Sequence, residues 1–339
     1  MIVLGVCLLH AFPNYEYLRH PEVVATWRNA AIKWQNPFAD MTRLFPRASH
    51  EAKLNFRLTV PLLAKVLHLG TGGLLALFAA CGIVSLYAVL AAGYRLTGSR
   101  IAALWLCLSV GCAWPGALPF HQLLGGFYDA VAICLVLLAM TVRSSPLAGL
   151  LAFAAAWTDE RALLALALVF LLERNSALLA GILGYGVARW YCAAAYGLGT
   201  AWDGTGMSVL LKHFNVIPLG IWSGLSGGWL VVVCGLTTLV VRRKWGMTAA
   251  MGLALGAAIA SALCVEDVTR SMSYAVPAVL LGAGLVAMNE TEETTERLAM
   301  TAALISVLTP MFFVQTDAMT WMLPLPLQAI RLILYPRFG

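Results

Sequence analysis

Residues 72–94 read GGLLALFAACGIVSLYAVLAAGY, a run without one charged side chain. An α-helix rises about 1.5 Å per residue, so this run is long enough to cross the roughly 30 Å hydrocarbon layer of a bilayer. Working outward from it, apolar segments recur at 101–119, 127–142, 146–157, 162–172, 176–197, 216–241, 247–265, 271–288, 298–315 and 321–335. Residues 1–12 add an apolar piece shorter than the about 20 residues a span needs. That piece has no basic n-region and no small-residue cleavage site, so it is a poor signal peptide. A short or tilted helix and the outer part of a first helix both remain open for it. The pattern predicts an all-α polytopic membrane helix bundle of about 11–12 membrane elements. It is expected to form a single membrane domain over 1–339, with the lipid bilayer as its solvent.

Composition agrees. Of 339 residues 61% are hydrophobic and 11% charged, whereas a soluble domain carries about a quarter charged. The net charge of +6 does not point to nucleic acid, because the Lys and Arg are scattered along the connections. The eight cysteines lie in or beside apolar segments with no CxxC pair, which suits small buried hydrophobes better than a zinc or redox centre.

Alternating the segments sorts the connections into two sets. One holds Arg95, Arg100, Arg143, Arg174, Arg242, Arg243, Lys244 and Arg297, and the tail adds Arg331 and Arg337. The short connections of the other set hold only Arg161, Lys212 and Arg270. Cytoplasmic loops retain Lys and Arg, so the first set is expected in the cytoplasm. The expected location is a bacterial inner (plasma) membrane. The other side receives Asp129, Asp159, Glu160, Asp203, Glu266, Asp267, Asp317 and the long loop 14–70. A loop approaching sixty residues is largely exempt from the charge rule, so its eight Lys and Arg do not reverse the assignment.

Within that loop, Pro21 to Trp34 can form a helix with Val24, Trp27, Ala31 and Trp34 on one face. Residues 50–69 place Leu54, Leu58, Leu62, Val66 and Leu69 at helical spacing beside Lys53, Arg57 and Lys65. Such faces suit helices lying in the membrane interface, or a cap over the bundle. Asp40 sits in a turn between the two.

Four charged sites stand out. Trp157-Thr158-Asp159-Glu160-Arg161 separates two segments each too short to span alone, so the turn suits the lining of a cavity. Asp267 and Arg270 follow Glu266 at the opening of another helix, where Asp267 can serve as a cap. Arg189 lies inside segment 176–197 and needs a partner, a wet cavity or an outward snorkel. His121 and Asp129 flank one loop and suit a solvated pair. Arg161, Arg189 and Arg270 share one depth, which predicts convergence on a common polar cavity. The opposing expectation pairs Arg161 with Asp159 or Glu160, and Arg270 with Glu266 or Asp267.

The stretches Arg57-Leu58-Thr59-Val60-Pro61-Leu62-Leu63-Ala64, Phe127-Tyr128-Asp129-Ala130, Thr158-Asp159-Glu160-Arg161-Ala162-Leu163-Leu164 and Asp267-Val268-Thr269-Arg270 give the chain a look that resembles the GT-C glycosyltransferases. Members of that family use polyprenyl-phosphate-linked sugars as donors. The resemblance implies a catalytic acid in the first outer loop, acting as base or helping to hold a divalent metal, for which Glu16 and Asp40 are the candidates. Asp129, Asp159, Glu160, Arg161, Arg189, Glu266, Asp267, Arg270 and His121 are the candidate substrate-binding residues. The expected activity is sugar transfer from a lipid-phosphate donor at the extracytoplasmic face. Two other classes stay open: a transporter or flippase of a lipid-linked or anionic substrate, and a non-catalytic subunit that scaffolds a protein partner.

Overall fold

Gly70 and Gly98 bracket the longest helix because neither supplies a side chain that would continue it, and Gly98 takes a left-handed φ of 74°. The computed structural model describes residues 1–11, 21–121, 125–142, 146–201, 206–315 and 318–334, with the side chains at 208, 212, 213, 318, 331 and 332 left aside. Glu16, Asp203, Asp317, Arg143 and Arg337 therefore lie outside the described residues, as do the side chains of Lys212 and Arg331.

The chain is all-helical apart from one hairpin. In order, α1 is Ile2–His10, α2 Pro21–Gln35, α3 Met41–Leu44, α4 Thr59–Val66, α5 Thr71–Thr97, α6 Arg100–Gly111 and α7 Trp114–Ala117. Then follow α8 Asp129–Thr141, α9 Pro146–Thr158, α10 Ala162–Glu173, α11 Ser176–Tyr196, α12 Met207–His213, α13 Ile217–Leu225 and α14 Gly228–Val241. The remainder is α15 Trp245–Leu263, α16 Val268–Met272, α17 Val276–Ala287, α18 Glu292–Leu308, β1 Met311–Gln315, β2 Ala318–Met322 and α19 Leu325–Leu334.

Among the described residues four helices are long and apolar enough to cross a membrane: α5, α11, α15 and the continuous 268–287. Two bent pairs raise this to six, α6 with α7 at 73° and α13 with α14 at 85°. These properties are consistent with a membrane protein. The apolar run 216–241 is thus one segment in sequence but two helices in space, and Ser226 at φ 48° marks the corner. Segments 298–315 and 321–335 depart from the helical expectation. Thr309-Pro310 stops α18, since the residue before a proline leaves the helical region, and Met311-Phe312-Phe313-Val314 favours a strand. β1 then pairs antiparallel with β2.

The segment before α5 is a cap. Its inward face is Val23, Trp27, Ala30 and Trp34, one step away from the expected Val24 and Ala31, and Val24 is exposed. Trp27 lies 6.4 Å from Phe78 of α5, and Trp34 Nε1 donates to the Tyr128 hydroxyl at 2.9 Å. The tryptophans therefore serve packing against the bundle, as a cap requires. Residues 50–69 form no single helix. A 3-10 turn at Ala52–Leu54 gives way to Asn55-Phe56-Arg57, which bind elsewhere, before α4 begins.

Polar contacts divide the connections between two ends. At one end Arg95 pairs with Glu173, the Ser99 hydroxyl donates to Glu296 at 2.5 Å, and Arg242 donates to the Asn289 carbonyl at 3.0 Å. At the other end gather the residues of the site described below. Helix lengths fix the depth between them. The 27 residues of α5 run about 40 Å, whereas α8, α9 and α10, at 13, 13 and 12 residues, run only about 18–20 Å. The Arg95–Glu173 pair brings the ends of α5 and α10 level, so the turn before α10 stands near the middle of α5. Tyr128, just ahead of α8, packs 6.4 Å from Phe78, about 10 Å along α5 from its start, so the α8 edge of the site lies nearer that end than the turn does.

Close helix approach holds the bundle. A Cβ on Gly235 of α14 would meet the Gly282 backbone of α17 at 2.6 Å, while Gly252 of α15 has nothing within 4 Å. We expect Gly235→Leu to destabilise the protein by about 1–3 kcal/mol through overpacking, and Gly252→Leu to be nearly silent. Thermal unfolding of both purified variants in one detergent checks this; equal melting temperatures would contradict the α14–α17 contact.

Candidate functional site

The turn Asp159-Glu160-Arg161 exists because α9 ends at Thr158 and α10 restarts at Ala162, leaving three charged residues at the junction. Asp159 accepts from the Arg161 backbone N–H at 3.0 Å and from Arg161 Nε and Nη2, both at 2.8 Å. The local pairing expected for Arg161 is therefore present. Its guanidinium does more. Nη2 also reaches Asp129 Oδ1 at 2.5 Å, and Nη1 donates to the Ser271 hydroxyl at 2.7 Å. Asp129 opens α8 and is fully buried, where the Tyr274 hydroxyl donates to it at 3.1 Å.

Arg270 pairs with Asp267 at 2.6 Å and stands 3.7 Å from Asp129. The face of its guanidinium lies 3.5 Å from the Phe127 ring centroid, which fixes its plane. Arg57 of the cap completes the set by pairing with Asp159 at 2.9 Å. The result is an alternating chain, Arg57–Asp159–Arg161–Asp129–Arg270–Asp267, drawn from four separate stretches of sequence.

Arg189 also finds a partner and does not snorkel. It donates to Glu160 at 2.6 Å and to the Tyr185 hydroxyl at 2.5 Å, with its guanidinium 3.9 Å from the Phe56 centroid. Arg161, Arg189 and Arg270 all line one cavity of about 640 Å³, together with Asp159, Glu160, Glu266 and Asp267. Local pairing and convergence are thus both true, since each arginine keeps its neighbour acid and still faces the common space. The cap adds His50, Lys53, Asn55, Phe56 and Arg57 to the wall.

Two expectations are corrected. His121 does not face the cavity; its Nδ1 bonds the Ala117 carbonyl at 2.9 Å and its ring lies 5.8 Å from Trp114. The loop pair with Asp129 is absent because Asp129 turns inward to Arg161 and Tyr274. Asp40 is not on the cavity wall either. It caps α3, accepting from the Thr42 N–H, the Thr42 hydroxyl and Asn55, and its second oxygen meets Arg43 at 3.1 Å. Partial burial opposes ionisation there, but the Thr42 and Asn55 hydrogen bonds hold the carboxyl below its usual range. A carboxylate so engaged, with its pKa lowered, is a weaker base than a free one and stands away from the cavity. Among the described residues no three His, Cys, Asp or Glu side chains come together for a metal. Glu16 lies outside the described residues.

Sequence reasoning passed over Arg57, Lys53, His50 and Tyr274 as site residues. Arg57 and Lys53 read as the basic edge of an amphipathic helix, and only the break at Asn55-Phe56-Arg57 turns them inward. His50 Nε2 meets the Gly125 carbonyl at 2.8 Å. Burial, with the charges of Arg57, Arg270 and Lys53, lowers its pKa to about 3, so the imidazole is neutral at physiological pH.

Asp159 carries the most: it is 1% exposed and counters both Arg57 and Arg161. Asp159→Asn leaves two buried cations short of a counter-charge and should cost about 3–5 kcal/mol. Detergent-solubilised protein would then melt lower and lose protection of the cap to limited proteolysis. A variant as stable as the parent would show that the ion-pair chain does not hold the cap.

Comparison with protein-family models, with curated proteins and with solved structures finds no match to this chain, so the geometry alone carries its functional reading.

Proposed function

We propose that the chain is a membrane glycosyltransferase-like protein that moves a sugar from a lipid-phosphate donor to an acceptor at the extracytoplasmic face. One observation carries this reading: four arginines and a lysine share a cavity with four carboxylates, deep beside helices whose outer faces are apolar. Guanidinium groups match phosphate oxygens in a planar, bidentate way, and the apolar surroundings suit the hydrocarbon chain behind the phosphate. Exposed Leu183, Val187 and Trp190 on α11 give such a chain apolar surface to lie on.

The carboxylate best placed for base catalysis is Glu160, which replaces Asp40 in that role. Arg189 fixes one of its oxygens while the side chain stays 38% exposed at the cavity. An acceptor hydroxyl would give its proton to Glu160 as its oxygen attacks the anomeric carbon. The bond from that carbon to the phosphate oxygen breaks, and the phosphate leaves with the electron pair toward the arginines.

Depth favours a second reading. The charged cluster is set roughly 10–20 Å in from the start of α5, and charged sites within the membrane are typical of transporters. Gradient-driven uptake of an anionic lipid or its head group into vesicles, without sugar transfer, would select it.

The membrane placement has its own test. We read the chain as about 11–12 membrane elements, with the cap outside and the end bearing Arg95, Arg242 and Glu292 in the cytoplasm. In a cysteine-free background, Arg47→Cys should label only from outside and Glu292→Cys only from inside. Labelling of both from one side would overturn this topology.

For the activity, purified protein is given a polyprenyl-phosphate donor with a labelled sugar and a set of hydroxyl acceptors. Glu160→Gln should lower transfer by about 10²-fold or more with an unchanged melting temperature. Asp40→Asn should lower the melting temperature and leave the rate per folded molecule near that of the parent. The absence of any transfer or sugar release by the parent would sink the transferase reading.

A further inference from the structure

The hydrogen-bonding capacity of the cavity's cations is not used up. Arg270 is 7% exposed; its Nη1 has no hydrogen-bond partner, and its Nε faces Asp129 at 3.7 Å without a hydrogen bond. Arg57 is 7% exposed and its Nε is likewise unsatisfied. Lys53 is half-buried on the same wall and makes no hydrogen bond or ion pair with a described residue. An unsatisfied buried donor on a charged group is costly, and three in one corner concentrate that cost.

The three cations share one cavity wall with His50. Burial first, and then the charges of Arg57, Arg270 and Lys53, keep that imidazole neutral, and burial together with Arg57 and Arg270 opposes the charge on Lys53. Glu266 and Asp267 offset part of this repulsion at Lys53. Asp267 is already committed to Arg270, and Glu266 is exposed. His50 cannot supply the missing acceptor for all three cations, since its Nε2 is held at the Gly125 carbonyl.

These groups come from two bodies. Lys53 and Arg57 belong to the cap, whereas Arg270 belongs to α16 of the bundle. Like charges across that seam push the cap away from the bundle. The attachments opposing them include Arg57 to Asp159, the Leu58 N–H to the Trp157 carbonyl at 2.8 Å, Asn55 to the Gly199 carbonyl at 2.7 Å, the Thr59 hydroxyl to the Ala154 carbonyl at 2.8 Å, and Phe56 and Leu58 packed with Trp157 and Tyr185. An anion in the corner would reverse the sign of the interaction at the seam.

We infer that Lys53, Arg57 and Arg270 form one anion site shared between cap and bundle, and that a phosphate head group bound there holds the cap closed over the cavity. The inference rests on the proposed lipid-phosphate substrate only for the hydrocarbon chain behind the phosphate. The phosphate oxygens accept from Lys53 Nζ and, as the seam closes on the ligand, from Arg270 Nη1 and Arg57 Nε, which carry no other hydrogen bond. Phe127 beneath Arg270 keeps that guanidinium in plane for them. The site therefore couples two events, since binding brings both sides of the seam onto one ligand.

The test uses the full-length protein in zwitterionic nanodiscs with three probes: farnesyl phosphate, inorganic phosphate and farnesol. Affinity is measured beside hydrogen exchange of the backbone amides at 50–58. Farnesyl phosphate should bind and slow exchange in 50–58 at least about tenfold, and farnesol should do neither. Protection by inorganic phosphate alone would support the same site as one for the free anion. Lys53→Met should weaken farnesyl phosphate about tenfold. Arg270→Lys, which keeps the charge but loses the planar fork, should weaken it by a similar factor. Equal binding of farnesol, unchanged affinity in both variants, or binding without protection of 50–58 would each overturn the inference. Binding and protection without sugar transfer would leave this site standing and remove only the transferase reading. Transfer by a protein whose phosphate affinity ignores both substitutions would remove only this site.

Discussion

Arg161 answers two buried carboxylates at once, Asp159 on its own turn and Asp129 at the start of α8. The buried chain of alternating charges hangs on that double contact. Asp129 has no solvent exposure, so without a cation its carboxylate would be an uncompensated charge in an apolar bundle. Once Arg161 bridges the two acids, each has capacity left for a second cation, and Arg57 and Arg270 take those places. Buried ion pairs seldom add net stability, because desolvation of each charge offsets most of the attraction. What the alternating chain supplies is position. It ties α8, the α9–α10 turn, α16 and the cap to one another at fixed distances.

The cap is held in two different ways on its two sides. Trp27 and Trp34 pack it on α5 and α8 by apolar burial with one hydrogen bond to Tyr128. Arg57, Asn55 and the Leu58 N–H attach it over the α9–α10 turn and the end of α11 by polar contacts, beside an apolar cluster in which Phe56 and Leu58 meet Trp157 and Tyr185. The first side depends little on what occupies the cavity. The polar contacts of the second border the cavity directly, so their share of the attachment follows the charge present there.

Much of this was legible in the sequence. The segment boundaries from 72 to 197 fall within a few residues of α5 to α11, because charged and Pro/Gly positions punctuate very apolar runs. The meeting of Arg161, Arg189 and Arg270 was legible too, since charges are so few that alternation alone assigns them to one end. Three things were not. The face of α2 was read one step off, as Val24 and Val23 are equally apolar and only packing chooses between them. Arg57 and Lys53 kept helical spacing, which concealed the break that turns them inward. The hairpin 311–322 was hidden because strand-forming Phe and Val are as apolar as a membrane helix, and period alone does not separate short apolar runs.

The shortness of α9 and α10 bears on how such a chain is made. At 13 and 12 residues neither is long enough to span a bilayer alone, so in the proposed membrane placement the two enter as one helical hairpin with Asp159, Glu160 and Arg161 at its tip. Each charge placed at depth costs about 2.5–3.5 kcal/mol on insertion scales. Asp159 and Arg161 already share three hydrogen bonds within that tip. Such a hairpin would carry one of its two acids already paired, leaving Glu160 to be met by Arg189 of the next helix.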